Sequence, residues 1–152
     1  MPDQMFYSAA TPRLALPLLF AGQAQKEATV NEALSMLDLA VGAVVQGVRS
    51  TVPSGPQIGQ MWLVGQGGEA DFATHDGHLA GWTEGGWRFI VPFAGMCVHD
   101  LEAGAMRLFD GSWKIASVPS TPSGGSFVDG EARAAITALI ASLQSIGVFP
   151  GS

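Results

Sequence analysis

Between Gln57 and Val118 the chain is written as short apolar or aromatic runs, MWLV, WRFIV and MRLF among them, separated by Gly-rich turns. This pattern constrains the fold more than any other, because such runs bounded by turn residues read as antiparallel strands. Gly-Gly and Asp-Gly accept the positive φ that tight hairpins need. Trp62, Trp87 and Trp113 mark the region at separations of 25 and 26 residues. TEGGWRFI and FDGSWKIA each place a Gly-containing turn before Trp, a basic residue and an apolar pair. The spacing is that of a repeated hairpin unit, imperfectly kept.

On either side the apolar period changes. Val30, Leu34, Leu37, Val41, Val44 and Val48 recur at spacings of 4, 3, 4, 3 and 4, the seam of an amphipathic helix. A helix is expected from about Gln23 to about Val48. Gly42 and Gly47 weaken its second half by about 1 kcal/mol each relative to Ala, so packing must hold that half. TVPSGPQIG then ends helical structure. Near the C-terminus, SVPSTPSGGSFVDGE reads as a flexible connector. It leads to a last helix whose Ala132, Ile136, Leu139, Leu143 and Ile146 repeat at 4, 3, 4 and 3. Asp129 is placed to cap that helix and Glu131 favours its first turn, while Gly147 and Pro150 stop it. The expectation is an α+β chain: an extended N-terminal arm (1–22), an amphipathic assembly helix (23–49), a small antiparallel β domain of Gly/Trp hairpins (57–118), a linker (119–130) and a C-terminal helix (131–147).

Composition narrows the function classes. Only 13% of residues are charged, 47% are hydrophobic and the mean hydropathy is +0.28. That apolar load is high for a small domain with limited interior volume, and it points to burial between subunits. A net charge of −6 with seven scattered basic residues argues against nucleic acid as partner, since phosphate binding needs clustered Lys and Arg. Cys97 is the only cysteine, so an intrachain disulfide and a Cys-based zinc site are both excluded. RLALPLLFAGQAQKEATVNEAL, residues 13–34, imitates a secretory signal, but Asp3 spoils the charge of its leader and Pro17 interrupts its apolar run. It is expected to belong to the folded protein. Gln23, Gln25, Lys26 and Glu27 also cut the run far short of the roughly 20 residues of a membrane span, so no membrane partner is expected.

No catalytic constellation emerges, and no enzyme activity or cofactor is expected. G-x-S-x-G, P-loop and H-E-x-x-H patterns are missing, and neither Asp100 with Glu102 nor Asp71 with Asp76 is placed by sequence at the separation glycoside hydrolysis requires. HDGH, His75 to His78, is the best metal candidate, with His99 and Asp100 further on. Its Asp-Gly centre marks a turn, and a solvated hairpin loop is the preferred reading, with no metal. The tryptophans suggest another chemistry. Trp82, Trp87 and Trp113 beside flexible turns would stack on sugar rings if exposed, which makes carbohydrate binding the alternative function. Equally, they would serve as core in a domain short of other large side chains.

The opening segment carries a resemblance. TPRLALPLLFAGQAQKEATVNEAL, through Pro12, Arg13, Leu14, Gly22, Gln23, Gln25, Lys26, Glu27, Asn31, Glu32, Ala33 and Leu34, is similar to the N-terminal signature of an uncharacterised domain family of phage-like tail-fibre and head-spike proteins. That family includes proteins from gene transfer agents and prophages of alphaproteobacteria. IGQMWLV, WTEGGWRFIVP and FDGSWKI extend the likeness over most of residues 11–116, and Val30 stands where the family motif has His. The resemblance implies a virion structural protein: a homo-oligomeric head spike or fibre base on the particle surface, made in the bacterial cytoplasm. It would join a capsid or tail protein to a spike or fibre protein, with host polysaccharide as a further partner. Arg13, Gln23, Gln25, Lys26, Glu27, Asn31, Glu32 and Leu34 are the expected assembly-interface residues, because polar groups beside an apolar seam must be hydrogen-bonded when buried.

Overall fold

The first helix stops where the backbone turns left-handed. In the computed structural model, which describes residues 9–20, 22, 26–125 and 129–151, α1 spans Lys26–Ala40. Its last turn closes with the Val41 N–H on the Leu37 carbonyl at 2.9 Å. Gly42 follows at φ 56°, the conformation glycine adopts most readily at a helix C-terminus. This corrects the expected helix end near Val48. Val44 and Val48 keep the helical spacing, but they lie in two short strands, β1 (Val44–Val45) and β2 (Val48–Arg49). Both are paired in parallel, Val44 with His99 and Val48 with Leu63, so pairing partners far along the chain override local periodicity.

The remaining strands are β3 (Met61–Val64), β4 (Leu79–Thr83), β5 (Gly86–Ile90), β6 (Cys97–Asp100), β7 (Ala105–Phe109) and β8 (Trp113–Ile115). They build two four-stranded sheets of orders β2-β3-β4-β5 and β1-β6-β7-β8. Each is a three-stranded antiparallel meander with a two-residue parallel strand added at one edge. The sheets are therefore mixed rather than purely antiparallel. The meanders correspond: across the β4–β5 turn Trp82 pairs with Trp87, and across the β7–β8 turn Phe109 pairs with Trp113. The likeness of TEGGWRFI to FDGSWKIA thus records equivalent hairpins, each closed by an aromatic cross-strand pair of the kind that stabilises antiparallel strands. Trp62 lies in β3 and belongs to neither hairpin.

One core joins both sheets and α1. Leu39, Val45, Met61, Leu63, Leu79 and Val98 are fully or almost fully buried within it. The helix comes close because Gly81 has no side chain; a Cβ there would run into Leu39 Cδ1. A second cluster lies on the opposite face of the β2–β5 sheet, where Phe72, carried by a short 3₁₀ turn (Ala70–Phe72), packs with Val64, Ala80, Trp87 and Phe89.

Helix α2 (Gly130–Ser145) begins as read from sequence, with Asp129 Oδ1 accepting the Ala132 N–H at 2.9 Å. Its docking is confined to its C-terminal half. Ile140 is buried, and the Gly147 carbonyl just beyond the helix accepts the Met106 N–H at 2.7 Å. The seam residues mostly face solvent: Leu139 is 59% and Ile146 68% exposed. Helix α1 shows the same arrangement, with Leu37 and Val41 each 52% exposed while Asp38 and Leu39 are buried. Among the described residues no helix is long and apolar enough to cross a membrane.

Candidate functional site

The residues of the opening segment meet at the junction of arm and helix. Residues 9–18 form a tight loop, with an Ala10–Pro17 bridge, the Thr11 N–H on the Leu16 carbonyl at 2.9 Å and the Leu18 N–H on the Ala9 carbonyl at 3.0 Å. Asp38 holds this loop. Its carboxylate accepts from Thr11 Oγ1 at 2.7 Å, from the Leu14 N–H at 2.6 Å and from the Arg13 N–H at 3.1 Å. Thr11 Oγ1 in turn accepts the Leu16 N–H at 3.0 Å. A carboxylate of 1% exposure would be costly to bury without such donors; here both its oxygens are used.

Arg13 completes the junction from the other side. Its guanidinium donates to the carbonyls of Asp38 at 2.6 Å, Leu39 at 2.9 Å and Gly42 at 2.7 Å. Carbonyls at a helix C-terminus lack partners within the helix and carry its negative dipole end, so the cation satisfies both needs at once. Further along, Asn31 grips the arm with Oδ1 on the Leu19 N–H at 2.8 Å and Nδ2 on the Leu19 carbonyl at 3.0 Å. Glu32 Oε1 pairs with Arg88 Nε on β5 at 2.9 Å, and Glu27 Oε1 accepts the Gly22 N–H at 3.2 Å. Lys26 opens α1 and is exposed, and Leu34 is half-buried. Gln23 and Gln25 lie outside the described residues. A cavity of about 300 Å³ remains between arm, α1 and the β4–β5 hairpin, lined in part by Leu18, Asn31, Asp38, Ile58 and Arg88.

Arg13, Glu27, Asn31 and Glu32 therefore spend polar groups inside the chain, fixing the arm to α1 and α1 to the sheet. The apolar residues left outward are Leu14 and Phe20 from the arm, Val30 and Leu37 from the helix, and Val41 just beyond its end. Sequence reading missed Thr11 and Asp38. The available signal was a carboxylate between Leu37 and Leu39, where a merely solvated charge is out of place.

The three tryptophans do not form one platform. Trp82 and Trp87 meet edge to face at 5.0 Å, and Trp87 also packs on Phe72 at 5.0 Å and Trp62 at 5.7 Å. Trp113 stands in the other sheet, edge to face with Phe109 at 5.3 Å, its indole N–H on the Gly77 carbonyl at 2.7 Å.

HDGH is a turn, closed by the His78 N–H on the His75 carbonyl at 2.9 Å. Asp76 accepts the N–H groups of Gly67 at 3.0 Å and Gly68 at 2.9 Å, which lower its pKa below the usual carboxylate value. The Nδ1 atoms of His75 and His78 lie 3.1 Å apart, and the His75 ring stacks on Phe89 at 3.7 Å. His99 lies elsewhere, against the backbone at Gly147. Asp100 accepts Arg107 Nε at 2.6 Å, while Glu102 pairs with Arg49 at 2.8 Å. Among the described residues no group of three or more His, Cys, Asp or Glu is placed to hold a metal.

Burial, and then the neighbouring His75, lower the His78 pKa from the ordinary 6.5. The unfolded chain then binds the proton more readily, so this contribution to stability is full above pH 6.5 and declines as pH falls from there through the lower folded value. The melting temperature is expected to drop between about pH 8 and about pH 5, and to drop less in His78→Gln. Equal slopes for the two proteins would refute the assignment.

A family model described as a protein of unknown function, DUF2793, matches residues 30–114, from α1 through β8. No curated protein matches the chain.

Proposed function

This chain belongs to the DUF2793 family, and we propose that it is an oligomeric structural protein of a phage-like particle, a head-spike or fibre base joining the particle to a host-recognition fibre. One observation carries the assembly half of this reading: the apolar seams of both helices face outward in the single chain, with Leu37, Val41, Leu139 and Ile146 all more than half exposed. Contiguous apolar surface of this kind marks interaction sites rather than ordinary monomer surface. An arm latched by Asp38 and Arg13 would present Leu14 and Phe20 beside the α1 stripe as one preformed face, and a preformed face loses less entropy on association. The likeness of the Thr11–Leu34 segment to phage-like spike proteins supports the particle half.

The oligomeric mass in solution tests the reading. The chain is expected to sediment as a closed homo-oligomer, and Leu37→Glu with Val41→Glu to sediment as a folded monomer with the parent's far-ultraviolet dichroism, since neither side chain is in the core, but with a lower melting temperature, because association stabilises the native state. The same variant is expected to be lost from purified particles. A monomeric parent, or a double variant that still assembles, would sink the proposal.

A further inference from the structure

A groove of about 520 Å³ is lined by residues of both sheets and of the loop before β4, Trp113, Phe109, Asp76 and His78 among them. We propose that this groove is a saccharide-binding site in which a neutral sugar ring lies on Trp113 and hydrogen-bonds to Asp76 and His78. Its size falls within the range of small-molecule sites, roughly 300–1,000 Å³. The site is distinct from the assembly faces of α1 and α2, so it does not depend on how the chain oligomerises.

Three features select the ligand class. The indole is held in place before any ligand arrives: its N–H is tied to the Gly77 carbonyl, and its ring plane is set by the edge-to-face contact with Phe109. A fixed, half-buried indole suits the C–H face of a pyranose, whose other side is ringed by hydroxyls. Second, the Asp76 carboxylate is pinned by the Gly67 and Gly68 N–H groups, and a carboxylate retains acceptor capacity beyond two bonds. It offers sugar hydroxyls an acceptor whose position is already determined. His78 has its Nδ1 engaged with His75, so Nε2 is the atom it can offer. Third, the cation in the groove is already compensated, because Arg107 is paired with the buried carboxylate of Asp100 at 2.6 Å. The groove therefore favours a neutral polyhydroxylated ring over a phosphate or another anion. Gln66 and Ser112 at its rim add an amide and a hydroxyl.

The test uses the full chain on a glycan array, followed by calorimetric titration with the methyl glycosides of glucose, galactose, mannose, rhamnose and N-acetylglucosamine and with the best array glycan. Saturable binding is expected. Ser112→Trp fills the groove from an exposed position without removing a core contact, and is expected to weaken binding at least about tenfold, as is Asp76→Asn. Trp82→Ala, in the other sheet, is expected to retain it. Tetramethylammonium is titrated in parallel as the competing ligand for a carboxylate and an indole. Binding of that cation without any saccharide, no saccharide bound, or full binding by Ser112→Trp would each overturn the inference. The monomeric Leu37→Glu/Val41→Glu variant is expected to bind single sugars as the parent does, so failure of the assembly proposal and failure of this one are separable.

Discussion

Asp38→Ala is expected to release the arm and cost about 3 kcal/mol, because three donors converge on this carboxylate and each buried donor left without an acceptor costs about 1–3 kcal/mol. The low end applies, since Arg13 and Leu14 lie at the edge and water can reach their N–H groups after the change, whereas Thr11 is buried. Against the roughly 5–15 kcal/mol stability of ordinary domains this is a large fraction. Urea unfolding should show the midpoint fall. Hydrogen exchange should show lost protection at the N–H groups of Arg13, Leu14 and Leu16, with β3, β4 and β6 retaining theirs. Asp38→Asn, which keeps one acceptor oxygen, should fall between. Unchanged protection of the arm in Asp38→Ala would mean that the arm is held by its own turn and Arg13 alone.

Phe72→Ala is expected to cost about 3–5 kcal/mol, the usual range for removing a fully buried aromatic ring. Phe72 is wholly buried, with Trp87 at 5.0 Å and Phe89 at 6.1 Å, both edge to face. It also fixes a loop that the backbone alone would not favour, since Ala70 at φ 50° and Thr74 at φ 69° lie in the left-handed region that side chains avoid. Losing the ring should therefore loosen residues 65–78 as well as open a cavity. The expected result is a lower melting temperature together with a reduced near-ultraviolet dichroism signal from Trp87. Phe72→Leu should cost less, because it retains much of the volume. A Phe72→Ala protein as stable as its parent would show that the second cluster contributes little to the fold.

The hairpins were legible because their signals are local. A Gly-containing turn before Trp specifies two strands within a dozen residues, and both TEGGW and FDGSW became the hairpins their letters describe. The second helix was legible for the same reason, down to its Asp129 cap. The end of the first helix was not. Val44 and Val48 fit a helix by spacing, yet their pairing partners, His99 and Leu63, are distant in sequence. No window around Val44 contains that information. The role of Arg13 was half legible: its place in a distinctive segment singled it out, but its partners, the carbonyls at the end of α1, appear only once the arm has folded back.

By itself the sequence determined the class of fold, two amphipathic helices around Gly- and Trp-punctuated hairpins, because periodicity and turn chemistry act over a few residues. It also set an apolar seam along each helix. Only the tertiary structure decided which face of each helix is covered. On α1 the covered face is the one bearing Asp38 and Leu39, since the carboxylate meets three donors of the arm and the leucine meets the gap left by Gly81. The seam of Val30, Leu37 and Val41 is left outward. Hydrophobic residues seek burial without specifying a partner, whereas a buried carboxylate must find its donors or stay in water, and that asymmetry orients the helix.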